Sequence, residues 1–251
     1  MKKIVFFAVL LAAFVGAKAQ TNIQEMYDFN RGHLTTTLEM FKGDNWGSTF
    51  FFTDIYHPDV FQSGTNSPTG YYTEISRALN FWQNTALAPL SLHVEWNGGQ
   101  FANNCWLFGV EYFLHNSDFS NTLTLELMYK DIHNGATNIP VQFTIVWGMK
   151  DIFGVKGLVF SGFSDVWGEH QTWVNPNKHL SPEETEWVWL SEPQLWYNVG
   201  QHFGCENLFV GGEVELSYNF SGSYHPVDAN DNRYANKGFN VAPCAGIKWI
   251  F

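Results

Sequence analysis

In the stretch 208–220, LFVGGEVELSYNF, the even positions Leu208, Val210, Val214, Leu216, Tyr218 and Phe220 are apolar. The odd positions carry Glu213, Glu215, Ser217 and Asn219. Successive side chains of a β-strand point to opposite faces, so this pattern makes one face oily and the other polar. The same period recurs along the chain. Leu90, Leu92, Val94 and Trp96 oppose Ser91, His93, Glu95 and Asn97, while Trp106, Phe108, Val110, Tyr112 and Leu114 oppose Leu107, Gly109, Glu111, Phe113 and His115. Leu123, Leu125, Leu127 and Tyr129 oppose Thr122, Thr124, Glu126, Met128 and Lys130, and Val141, Phe143, Ile145 and Trp147 oppose Gln142, Thr144, Val146 and Gly148.

Runs of this kind, separated by turn signals, number twelve: 22–29, 33–42, 46–57, 70–82, 89–97, 104–115, 121–131, 139–149, 154–166, 187–200, 207–221 and 237–251. Charged residues are 15% of the chain and aromatics 18%, with eleven Trp. After the N-terminal segment no apolar run reaches the roughly 18 residues that a spanning helix needs. Few charges, many aromatics and an even strand count predict an all-β fold, a twelve-stranded antiparallel transmembrane β-barrel of the outer-membrane type. Parity alone also permits a soluble barrel with its apolar face inside. The N-terminal segment, the loop lengths and the final Phe251 favour the membrane version.

Residues 1–19 read as a secretory signal: a basic start (Lys2, Lys3), an apolar run from Ile4 to Val15, and the small-x-small site Ala17-Lys18-Ala19. The mature barrel is expected to span 20–251, without a lipid anchor because no Cys follows the cleavage site. Thirteen basic residues less Lys2, Lys3 and Lys18 leave ten against 24 acidic, a formal charge of −14. That balance argues against nucleic-acid partners. Of the three cysteines, Cys105 and Cys244 fall on polar parity and Cys205 in a turn, without metal-binding spacing, so three free thiols are expected.

Even-numbered connections are short: 43–45, 83–89, 116–120, 150–153 and 201–206. The longest, 58–69, 168–186 and 222–236, are odd-numbered, although the first odd one is only 30–32. Short turns at one end and long loops at the other are the habit of outer-membrane barrels, with both termini on the short-turn side. Trp96, Tyr129, Trp147, Tyr218, Trp249 and Phe251 sit near strand ends, as interfacial girdles require. One strand conflicts: Arg77 shares parity with Ile75, Leu79 and Phe81. A lipid-facing Arg costs about 2–4 kcal/mol at mid-bilayer, so a bulge is expected there that turns Arg77 inward.

Several stretches resemble the nucleoside-specific channel-forming (Tsx-type) outer-membrane proteins, or a related outer-membrane group without assigned function. They are Asp44-Asn45-Trp46 leading into Phe50-Phe51-Phe52-Thr53-Asp54, Glu74-Ile75 with Arg77, Phe101-Ala102-Asn103-Asn104, Gly162-Phe163-Ser164-Asp165-Val166-Trp167-Gly168, and Gly246-Ile247-Lys248-Trp249-Ile250-Phe251. The resemblance implies a monomeric twelve-stranded barrel whose narrow lumen passes nucleosides. Shorter connections and three Cys depart from the family pattern and put the solute in question.

On the membrane reading, Glu39, Asp54, Glu74, Glu95, Glu111, Glu126, Asp165, Glu213 and Glu215 line the lumen. With them come Phe41, Phe113, Phe163 and Phe209, and the few bases Arg77, Lys130, Lys156 and Lys248. Acidic rings favour cations over anions, and aromatics among hydrogen-bonding groups suit an uncharged nucleoside. The expected solute contacts are Glu39, Phe41, Asp54, Glu74, Arg77, Asn104, Glu111, Asp165 and Glu213. The bilayer, a nucleoside-like solute and the barrel-assembly machinery, reading Phe251, are the expected partners, with no cofactor and no metal. Two other functions compete. One is a closed structural or partner-binding barrel. The other is a lipid hydrolase built on Ser91, His93 and Glu95, whose i, i+2 spacing of nearly 7 Å is too wide for a relay. Glu169, His170 and His179, and the Pro182-Glu183-Glu184 cluster that Ser181 could cap as a helix start, read as ordinary polar loop.

Overall fold

The computed structural model describes residues 20–58, 68–100, 102–173, 183–220 and 237–251. The expected signal segment 1–19, His179 and Ser181 lie outside them. The chain forms β1 (Gln20–Asp28), β2 (His33–Asp44), β3 (Gly47–Tyr56), β4 (Gly70–Leu79), β5 (Leu90–Gly99), β6 (Cys105–His115) and β7 (Asn121–Ile132). β8 (Val141–Lys150), β9 (Leu158–Trp173), β10 (Glu183–Ser191), β11 (Gln194–Tyr197), β12 (Leu208–Tyr218) and β13 (Phe239–Ile250) follow. Each strand pairs antiparallel with its neighbours, and β13 pairs with both β12 and β1, closing the ring.

β10 and β11 are two parts of one stave. Ser191 pairs with Ser164 and Leu216, and Gln194 with Ser161 and Glu213, so the register runs unbroken through Glu192-Pro193. Pro193 has no N–H to offer the ladder, but Glu192 N still donates to Phe163 O and Val214 N to Pro193 O. The result is a closed twelve-stave antiparallel barrel. Closure satisfies the backbone of every stave within the wall, which hydrocarbon demands because it offers no hydrogen bonds.

The register decides which side chains share a face, because residues paired across an antiparallel ladder project to the same side. Asn22, Glu39, Phe52, Glu74, Asn97 and Cys105 form one inward row. Ser91, Glu111, Glu126, Thr144 and Asp165 form another. The opposite parity is apolar and exposed: Leu127, Tyr129, Ile247, Phe108 and Trp106 are each 48–56% exposed. Leu125, between Tyr112 and Ile145, and Val214 lie on that outward face too.

Two expectations need correction. β4 runs in unbroken register with β3, Thr49 opposite Arg77, so no bulge turns Arg77 inward. It stays outside and reaches back to Asp44 at the end of β2. The loop asymmetry is also looser than expected. β9 continues to Trp173 and β10 starts at Glu183, so Glu169 and His170 belong to a strand rather than a loop, and Glu183-Glu184 open a strand rather than a helix. At the other end, 80–89 and 198–207 are ten residues each. The longest connections, 57–69 and 219–238, do share one end.

Candidate functional site: the barrel lumen

Inward parity concentrates the charge. Asp28, Glu39, Asp54, Glu74, Glu95, Glu111, Glu126, Asp165, Glu192, Glu213 and Glu215 face inward, opposed chiefly by Arg31, His93, Lys130 and Lys248. Each is held differently. Asn22 Nδ2 donates to Glu39 (2.8 Å), Thr37 Oγ1 to Asp54 (2.6 Å) and the Tyr72 hydroxyl to Glu74 (2.5 Å). Gln194 Nε2 donates to Glu213 at 2.9 Å.

Lys130 and Lys248 each lie over a tryptophan. Lys130 Nζ is 3.9 Å from the Trp167 ring centroid and donates to Gln142 Oε1 at 2.6 Å. Lys248 Nζ is 4.3 Å from the Trp196 centroid. The ring faces hold the ammonium groups by cation–π attraction. Arg31, in the turn between β1 and β2, folds into the wall with Nη1 2.7 Å from Asp28 and Nη2 2.5 Å from Glu215. Burial works against its charge, but Glu215 and Asp28 outweigh it and hold the guanidinium above its ordinary value.

Inside also stand two apolar clusters: Cys105, Leu107 and Met128, and Met26, Trp196 and Phe209. Leu107, Met128 and Trp196 are at most 2% exposed, so neighbouring inward side chains cover them. Leu107, Met128 and Phe209 carry the predicted inward parity, but nothing in the alternation marks them as a packed cluster. Among the described residues, Gln24 Oε1 and Asp165 Oδ1 are buried and without a hydrogen-bond partner. Cys105, Cys205 and Cys244 are free thiols, as expected.

Glu39, Phe41, Asp54, Glu74, Glu111, Asp165 and Glu213 occupy inward register positions, Phe41 exposed near the start of the β2–β3 turn. Arg77 does not, for the reason given above. Asn104 precedes β6, exposed at the rim, where its carbonyl accepts from His133 N (2.8 Å). Lys156 sits in the turn before β9 and not in the wall.

The relay reading also changes. Alternate residues on a strand are far apart at their Cα atoms, yet the longer side chains lean together, and His93 Nε2 comes 3.3 Å from Glu95. The serine is what fails, since Ser91 Oγ meets Asn80 Nδ2 (3.5 Å) and not the imidazole. His93 Nδ1 faces Glu111 instead, at 2.9 Å.

A closed antiparallel ring with an oily exterior and a carboxylate-rich interior defines a membrane-embedded β-barrel. Its fold is similar to that of the NanC porin in a rhombohedral crystal form, with a TM-score of 0.53 and 9% identity over 91% of this chain and 98% of that one. A mutant of the Rh. blastica porin matches more loosely, with a TM-score of 0.37 and 10% identity over 93% and 99% of the two chains. No curated protein matches the sequence. The chain belongs to the family described as "Domain of unknown function (DUF5020)", whose model matches residues 20–251. The nucleoside-specific family that its motifs resemble is not among these matches.

Proposed function

We propose that this barrel is a channel of the bacterial outer membrane for passive diffusion of small polar solutes, neutral or cationic. The observation that carries this reading is the inward set of carboxylates spread over nearly every stave, which outnumbers the bases set deep among them in the described residues, Arg31, His93, Lys130 and Lys248. Acidic linings raise local cation concentration and repel anions.

A nucleoside-like solute is the finer reading. The sequence resemblance supports it, as does an inward aromatic ladder beside Glu39 and Glu74. Phe50 and Phe52 have centroids 6.0 Å apart, and Phe52 and Tyr72 5.9 Å. A base stacked on such a ladder gains about 1–3 kcal/mol. Within this reading residues 1–19 are the export signal, Phe251 is the mark for barrel assembly, and the protein is a monomer without catalytic activity.

Planar-bilayer recording across a KCl gradient tests the proposal. The reversal potential should favour K+, adenosine should reduce the current in a saturable way, and Glu74→Gln should weaken that block. An anion-selective current would overturn the charge argument. Absence of current would favour a closed structural barrel, the reading supported by the packed Leu107–Met128 and Trp196–Phe209 clusters.

A further inference from the structure

Three strands bring an imidazole and two carboxylates to one point of the wall. His93 comes from β5, Glu111 from β6 and Glu126 from β7, and one ligand atom of each lies within 4.8 Å of the others. Glu111 and Glu126 are directly opposite in the ladder, so their like charges are forced together, an arrangement that destabilises a sheet unless something offsets it. Gly109 faces His93 across the neighbouring β5–β6 ladder and places no side chain opposite the ring.

The bonds around this cluster are unevenly shared. His93 is 6% exposed and uses both ring nitrogens, Nδ1 toward Glu111 and Nε2 toward Glu95. Glu126 is 8% exposed, and its carboxylate accepts no hydrogen bond from any described residue. A buried carboxylate aimed at a histidine and a second carboxylate, with no hydrogen-bond donor of its own, keeps its oxygens available to a cation.

We propose that His93, Glu111 and Glu126 form a binding site for a divalent first-row transition metal of the Zn2+ or Mn2+ class. One imidazole nitrogen with carboxylate oxygens is a mixed donor set that suits these ions better than Mg2+ or Ca2+, which prefer oxygen alone. On binding, His93 releases its Nδ1 proton to solvent and supplies that nitrogen, the one that faces Glu111, to the ion. Its Nε2–H donates to Glu95, which fixes the tautomer in the carboxylate–histidine–metal manner. Metal–ligand distances of about 2.0–2.2 Å place neighbouring ligand atoms roughly 3–3.5 Å apart. His93 and Glu111 already stand at 2.9 Å, and rotation of the Glu126 side chain closes the rest. The site needs the barrel wall but not an open lumen, so it stands whether or not the barrel conducts.

The test is titration of the folded barrel in detergent, after chelator treatment, with ZnCl2 and with MnCl2, followed calorimetrically and, for Mn2+, by EPR. One saturable equivalent is expected, with at least tenfold weaker binding of MgCl2 or CaCl2. Glu126→Gln and His93→Ala should each abolish it, and Glu95→Gln should weaken it 10–100-fold. Asp118→Asn, in the exposed 116–120 turn, should leave it unchanged. Circular dichroism establishes that each variant keeps its strand content, and Zn K-edge absorption on the wild type should show one nitrogen among oxygen neighbours. No saturable binding would overturn the proposal, as would binding that survives both Glu126→Gln and His93→Ala in folded protein.

Discussion

The Arg77 guanidinium meets the Asp44 carboxylate in a two-pronged contact on the outside of the barrel, Nη1 to Oδ2 and Nη2 to Oδ1, both at 2.8 Å. Thr49 Oγ1, on the intervening strand, accepts from the same Nη1 at 2.9 Å. The outward parity that made Arg77 look misplaced is therefore kept. A long side chain near a strand end carries its charge back to the rim, leaving only its stem against the oily face.

Because the pair is partly exposed, with 26% and 38% side-chain exposure, Arg77→Ala should change stability by less than about 1 kcal/mol. It should also leave the reversal potential where it is. Denaturant titration in lipid vesicles and bilayer recording check the two halves. A shifted selectivity would mean that Arg77 reaches the lumen after all.

Arg31 behaves differently. Its partners Asp28 and Glu215 have side chains only 3% and 9% exposed. Arg31→Ala strips both of a buried cation, and breaking such a pair from one side costs about 3–5 kcal/mol. The expected readout is a large drop in the denaturant midpoint, several times that of Arg77→Ala.

Gly162 has φ +149°, and a Cβ there would lie 2.4 Å from Glu192 O and 3.0 Å from Pro193 Cα, beside the interruption in the β10–β11 stave. Gly162→Ala should cost about 1–3 kcal/mol, since both the strained backbone and the clash oppose it. Gly43→Ala, with nothing within 4 Å, should stay within about 0.5 kcal/mol. Parallel unfolding curves of the two variants decide the point.

In the 116–120 turn, the Ser120 backbone N–H and hydroxyl both donate to Asp118 Oδ1, at 3.1 and 2.8 Å. These bonds hold the Asp118 carboxyl below the usual carboxylate range. A depressed folded value stabilises the ionised state. That contribution is complete above the unfolded value of about 3.9 and is lost as pH falls through the folded one. Carboxyl NMR titration should find Asp118 titrating below an ordinary Asp, and Ser120→Ala should move it upward.

Much of the barrel was legible in the sequence because strand alternation is a local property. Leu90 to Trp96 against Ser91 to Asn97 needs no partner to be read, and the inward or outward placement of Leu125, Glu126, Val214 and Glu213 followed directly. The lumen's chemistry was less legible. His93, Glu111 and Glu126 lie on three strands, and only their register makes them neighbours. The two apolar clusters, Leu107 with Met128 and Trp196 with Phe209, likewise form across strands that periodicity treats separately.

What the sequence determined by itself was the period of two, and with it the division of the chain into oily and polar faces and the number of staves. Only the tertiary structure decided which polar residues touch, that Arg31 enters the wall while Arg77 stays outside, and which inward apolar side chains pack together. The physical reason is that alternation is set residue by residue by strand geometry. Contacts across strands depend on the register and stagger at which the whole ring closes, and no single strand encodes that.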